Sequence, residues 1–120
     1  MDFTTALDRH LAAIRDRDLD GYVLTVHPDA TLILPNGRTV TGTDEIRSFH
    51  KDWFQDPDWS MTTETVRTLE LADTAVAVLA VDYRDLDAEG RPYALRHLLS
   101  LVFARVDGEW LLVHDQNTSC

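Results

Sequence analysis

The chain has 120 residues, 44% of them hydrophobic, with 11 basic and 21 acidic side chains and a net charge of -10. A chain of this size makes one domain, residues 1-120, whose core needs no metal or disulfide staple. The acidic excess excludes nucleic acid and anionic membrane as partners, because phosphate contacts need a basic patch.

Residues 3 to 16 place Phe3, Leu7, Leu11 and Ile14 at helical spacing, with Arg and Asp opposite. Asp18 is positioned to cap a second short helix carrying Leu19, Tyr22, Val23 and Val26. His27-Pro28-Asp29 ends it, since proline cannot continue a helix. Ala30 to Leu34 reads as a strand, Pro35-Asn36-Gly37 as its turn and Arg38 to Gly42 as the return strand, Asn-Gly being a strong hairpin signal. Thr43, Asp44 and Glu45 open a third helix, with acid near the positive end of the dipole. Ile46, Phe49, Trp53 and Phe54 form its apolar face, and it stops before Pro57.

After Asp58 the period changes. Runs rich in Val, Thr, Leu and Tyr span 59 to 72, 74 to 87 and 92 to 106. The breaks at Ala72-Asp73, Glu89-Gly90-Arg91-Pro92 and Asp107-Gly108 predict hairpin turns, and a last strand runs from Glu109 to about Ser119. Cys120 is the single cysteine, so no internal disulfide forms. No apolar run approaches ~18 residues and no charged-then-apolar leader opens the chain. These features predict a soluble, cytoplasmic protein. Helices followed by a meander predict an α+β fold, with three N-terminal helices packed on a curved antiparallel sheet. Long twisted strands curl, and a curled sheet under helices leaves a conical cavity.

Several local motifs resemble one family. Arg17-Asp18-Leu19-Asp20 followed by Pro28-Asp29-Ala30-Thr31 is similar to a second helix running into a first strand. Pro35-Asn36-Gly37 with Gly42-Thr43-Asp44-Glu45-Ile46 resembles a hairpin and third-helix entry, and Asp107-Gly108-Glu109-Trp110 with Val113-His114 a closing hairpin. In this order they resemble the NTF2-like superfamily, specifically its SnoaL-like and ketosteroid-isomerase-like members. The resemblance implies an NTF2-like cone. It also implies cofactor-independent acid-base chemistry (isomerisation, cyclisation or dehydration) on a small hydrophobic carbonyl compound. The same fold also serves as a non-catalytic binding or dimerisation module. In the steroid isomerases the tyrosine position falls on His10, the base on Leu34 and a later acid near Ser100. The base is missing, which argues against that proton shuttle. SnoaL-type cyclases place an acid on a late strand, a role open to Asp115.

The last strand begins Trp110-Leu111-Leu112-Val113 and turns polar at His114-Asp115-Gln116-Asn117, a pattern expected of a pocket wall. Strict alternation puts Leu111, Val113, Asp115 and Asn117 on one face, and the resemblance favours that face as concave. Asp115 in an apolar cone would be pushed toward the range of a general base, and Asn117 could orient a carbonyl. Alternatively, Asp115 pairs with Arg96 across the sheet. His10 is a candidate proton donor or acceptor, or a histidine bonded to a backbone carbonyl. His50 could roof the pocket, and Tyr22, Trp53, Trp59 and Tyr83 could line it. One of Arg96 and His97 points inward. The five histidines show no metal-binding spacing, and there is no Gly-rich phosphate loop or GxSxG elbow, so no metal and no cofactor are expected. Apolar residues on the convex face predict a homodimer. A catalytic domain should hold Asp115 inside a cavity, and a binding module should pair it with Arg96 over a closed interior.

Overall fold

Two aspartates start the first two helices of the computed structural model, which describes residues 1–120. Asp2 accepts from the Thr5 amide at 2.8 Å ahead of α1 (Phe3–Arg15), and Asp18 accepts from the Gly21 amide at 3.0 Å ahead of α2 (Leu19–Leu24). A Cβ on Gly21 would stand 2.3 Å from the Asp18 carboxylate, so a larger residue there would make the capping side chain shift. α1 buries Phe3, Ala6, Leu7, His10, Ala13 and Ile14 along one stripe.

The chain turns extended earlier than proline suggests. β1 (Val26–Ile33) already begins at Val26, so His27-Pro28-Asp29 lies within a strand instead of ending the second helix. Pro28 falls in the irregular stretch between Val26 and Thr31, where the pairing skips residues and a missing N–H costs no ladder bond. The Asn36-Gly37 turn, with Gly37 at φ +86, leads to β2 (Thr39–Thr41). α3 (Gly42–Gln55) follows, with Asp44 and Glu45 in its first turn.

The four long strands are β3 (Ser60–Glu70), β4 (Thr74–Leu86), β5 (Pro92–Val106) and β6 (Glu109–Ser119), joined antiparallel as expected. The expectation of a purely antiparallel sheet needs one correction. The order is β2-β1-β6-β5-β4-β3, and β1 lies parallel to β6, which makes the sheet mixed. The three helices of the α layer cover its concave face, and the whole is an α+β fold of the NTF2-like type.

One irregularity sets the chemistry of the last strand. Leu112 pairs with Phe103 and His114 with Val102, so Val113 is an extra residue, a β-bulge. Before it Trp110 and Leu112 point into the core, and after it Asp115 and Asn117 point to the same side. Strict alternation therefore fails in part. Asp115 and Asn117 share a face as expected, while Leu111 and Val113 are only half-buried, out of phase with the buried Trp110 and Leu112.

The two ends of the concave face differ. Near the β5–β6 turn it is packed solid. Phe3 meets Phe103 and Trp110 edge-on, with ring centroids 5.4 and 5.6 Å apart. Each such fully buried side chain stabilises the fold by roughly 1.5–3 kcal/mol. At the opposite end, where β6 finishes and β5 begins, the helices stand off the sheet and leave a cavity.

Candidate functional site

The cavity holds about 250 Å³. Its sheet wall is built by alternation. On β5, Leu95, His97 and Leu99 point inward at every second position, and Tyr83 on β4 and Met61 on β3 continue the row. Leu32 and Leu34, in β1 and just beyond it, close one side. Phe49, His50 and Trp53 of α3 roof it, since residues one turn apart share a helix face. Tyr22 of α2 and Ile14 of α1 complete the helical side.

Asp115 is the acid in this space. It is only 8% exposed, and burial pushes its carboxyl up to about 7, partly offset by the hydrogen bond from Asn117. The Asn117 amide donates to Asp115 Oδ1 at 3.2 Å and to the Ile33 carbonyl at 2.8 Å. Both its hydrogens are therefore committed within the protein, one of them to Asp115.

His50 is neutral and its tautomer follows from its partner. Nδ1 lies 2.7 Å from the Ile46 carbonyl, which can only accept, so Nδ1 carries the proton and Nε2 a lone pair. Burial holds the ring down at about 4. Its plane stacks on Tyr22 at 4.0 Å between centroids. The Tyr22 hydroxyl makes no hydrogen bond to the protein, and burial with the nearby Asp115 charge keeps it protonated. Tyr83, by contrast, is fully engaged. Its hydroxyl accepts from the Trp53 indole at 3.1 Å and donates to Asp85 at 2.8 Å.

Six of the sequence-predicted site residues thus meet in one cavity: Asp115, Asn117, Tyr22, His50, Trp53 and Tyr83. Three do not line it. His10 is wholly buried beside Tyr22, its ring 5.0 Å away, and makes no cavity wall. Its Nδ1 donates to Thr25 Oγ1 at 2.7 Å, because the Thr25 hydroxyl already donates to the Tyr22 carbonyl at 2.6 Å. Trp59 stacks behind Trp53 at 4.6 Å, with the Arg17 guanidinium 3.9 Å over its ring. Arg96 is exposed and makes no ion pair with Asp115. It stands opposite Asp82 in the ladder, and Asp115 stands opposite Leu101. The inward member of the Arg96-His97 pair is His97, which burial keeps neutral. The cavity residues that sequence reasoning missed, among them Phe49, Met61, Leu95 and Leu99, are apolar. For Leu95 and Leu99 the signal was the every-second-residue run Tyr93, Leu95, His97, Leu99, Leu101 on β5.

No group of three or more His, Cys, Asp or Glu side chains gathers as metal ligands. No helix is long and apolar enough to cross a membrane.

Comparison with known proteins agrees with this architecture. The family model of the SnoaL-like domain matches residues 4–118. A ketosteroid isomerase-like protein from Erwinia carotovora atroseptica superposes with a TM-score of 0.83 at 18% identity, covering 97% of this chain and 92% of that one. A member of the NTF2-like family from Streptomyces avermitilis gives 0.82 at 12% identity, covering 98% and 93%. The CaMKII hub of S. rosetta gives 0.78 at 21% identity, again covering 98% and 93%. At such identities the likeness is one of fold. No curated protein matches the chain.

Proposed function

Because the chain belongs to the SnoaL-like domain family, we propose that its cavity binds a small hydrophobic carbonyl compound and moves a proton on it without a cofactor. The observation that carries this reading is the unpaired carboxyl of Asp115, buried in an apolar cavity and raised to about 7. A base works best when its pKa lies near the working pH. Asp115 takes a proton from the carbon next to the carbonyl, and the C–H electron pair becomes a C=C bond. The carbonyl pair moves onto oxygen, where the free Tyr22 hydroxyl donates to it. In a β,γ-unsaturated carbonyl compound, return of the proton to the γ-carbon of the dienolate completes an isomerisation; attack of the carbanion on a second carbonyl, whose oxygen then takes the proton back from Asp115, gives a cyclisation. Asn117 holds Asp115 in place, and Trp53 with Phe49 supplies flat apolar walls. The volume suits one or two rings, since an apolar cavity of about 150 Å³ accommodates benzene.

The test is deuterium wash-in from heavy water into the α-carbon of small cyclic ketones, followed by NMR. The protein should accelerate exchange, and Asp115→Asn should lose roughly 10²–10⁴-fold of that acceleration. Ketones that bind without exchanging would leave a non-catalytic ligand-binding module. A homodimer formed through the convex face goes with either reading. Val76, Val78 and Val102 are half-buried there beside Leu98, which is 39% exposed. Light scattering on wild type and Leu98→Glu should read a dimer and a monomer.

A further inference from the structure

A carboxylate in an apolar interior is ordinarily matched by a cation. Asp115 has none. No lysine or arginine lines the cavity, and Arg96 is exposed. The remaining polar groups lean the same way. The amide hydrogens of Asn117, the Nδ1 proton of His50 and the indole N–H of Trp53 are spent on protein acceptors. Unspent are the second oxygen of Asp115 and the Nε2 lone pair of His50. The Tyr22 hydroxyl offers a hydrogen, and the neutral His97 ring carries one more. The site is therefore negative in sign, supplied with acceptors by Asp115 and His50, and lined by the aromatic residues Phe49, Trp53 and Tyr83, a residue type whose ring faces attract cations. A divalent metal does not suit it, because calcium takes 6–8 oxygen ligands and one carboxylate stands here.

We propose that the ligand of this cavity is a small apolar molecule carrying a protonated amino group, with Asp115 as its counter-ion and His50 Nε2 as a second acceptor. The proposal rests on the cavity being the ligand site and adds the charge of what enters. It is compatible with the chemistry above, since a positive charge beside an α-carbon makes its C–H more acidic. An α-amino carbonyl compound would satisfy both.

Three probes of one size decide it: benzylamine, benzyl alcohol and benzoate, titrated calorimetrically into the full chain at pH 8. Benzylamine should bind at least about tenfold more tightly than benzyl alcohol, and benzoate should not bind. In Asp115→Asn, whose fold is checked by circular dichroism, the ratio of amine to alcohol affinity should fall to about one. Benzyl alcohol binding as tightly as the amine in wild type would overturn the proposal and leave the cavity as a ligand site. Benzoate binding, or an amine preference that survives Asp115→Asn, would overturn it too. Failure of all three probes to bind would remove both the proposal and the cavity reading it rests on.

Discussion

The closed and open ends of the concave face each contain a buried neutral histidine, and only one of them lines the cavity. His10, near the packed end, and His50, at the cavity, both commit Nδ1 to a protein oxygen at 2.7 Å. Burial pushes both below the ordinary value of 6.5, His10 to about 3 and His50 to about 4. The difference lies in the other nitrogen. His10 Nε2 is buried with no partner, whereas His50 belongs to a cavity wall. Burial and a shifted pKa therefore do not mark a functional group by themselves; a free lone pair facing open volume does.

The sharpest test of this contrast is Asp115→Asn, read by denaturant unfolding across pH. Burial raises the folded-state value of Asp115 from 3.8 to about 7. The folded protein thus keeps a proton that the unfolded chain releases between those values. The stability this contributes is complete at low pH and disappears as pH rises through the folded value. At pH 8 the wild type carries the full penalty, so the variant should be more stable by up to roughly 4 kcal/mol, a gain that fades toward pH 4. The histidines work in the opposite direction. Their folded values are lowered, so stability is lost as pH falls from 6.5 toward 4 and 3. In wild type the two trends offset each other across the acid range. Removing Asp115 should expose the histidine slope, and an unchanged acid profile would show that these groups are not buried as described.

A smaller effect is expected at the closed end. Thr25→Val keeps the shape but leaves His10 with no partner on either ring nitrogen, which should cost about 1–3 kcal/mol in urea unfolding at neutral pH. Exchange on ketones should be unchanged, because His10 makes no part of the cavity wall. Parallel loss of stability and activity would place His10 in the mechanism after all.

The least effect belongs to Arg96→Ala. As an exposed side chain with no ion pair to Asp115, it should change stability by less than about 0.5 kcal/mol. The Asp115 carboxyl should titrate where it did before, as followed by NMR. A shift to higher pH would mean that the guanidinium reaches the carboxylate in solution.

Much of the architecture was legible in the sequence because it depends on local patterns. The helical stripes of Phe3, Leu7 and Ile14 and of Ile46 and Phe54, the Asn36-Gly37 turn and the three hairpins follow from periodicity and turn chemistry. Pro28 misled, because a proline permits an irregular strand as readily as it ends a helix. The partnership of β1 with β6 was also hidden, since strands far apart in sequence leave no local trace of pairing. At the site, Asp115, Asn117, Tyr22, His50 and Trp53 could be named in advance as polar or aromatic residues beside apolar runs. Trp59 and Arg96 could not be placed, since which side of a stack or ladder faces the cavity depends on the register of its neighbours. The committed hydrogens of Asn117 were equally invisible, as they depend on the Ile33 carbonyl 84 positions away.

The supernumerary residue at Val113 carries a consequence for how such a domain can change. Upstream of it the strand obeys one phase and serves the interior; downstream it obeys the opposite phase and serves the ligand. Deleting that one position would leave Leu112 opposite Phe103, His114 opposite Val102 and Asp115 opposite Leu101, so strict alternation would return with the acid still facing inward. The strand thus carries one residue that its ladder does not use, and losing it by a single-codon deletion would keep both the hydrophobic framework and the acid in their seats.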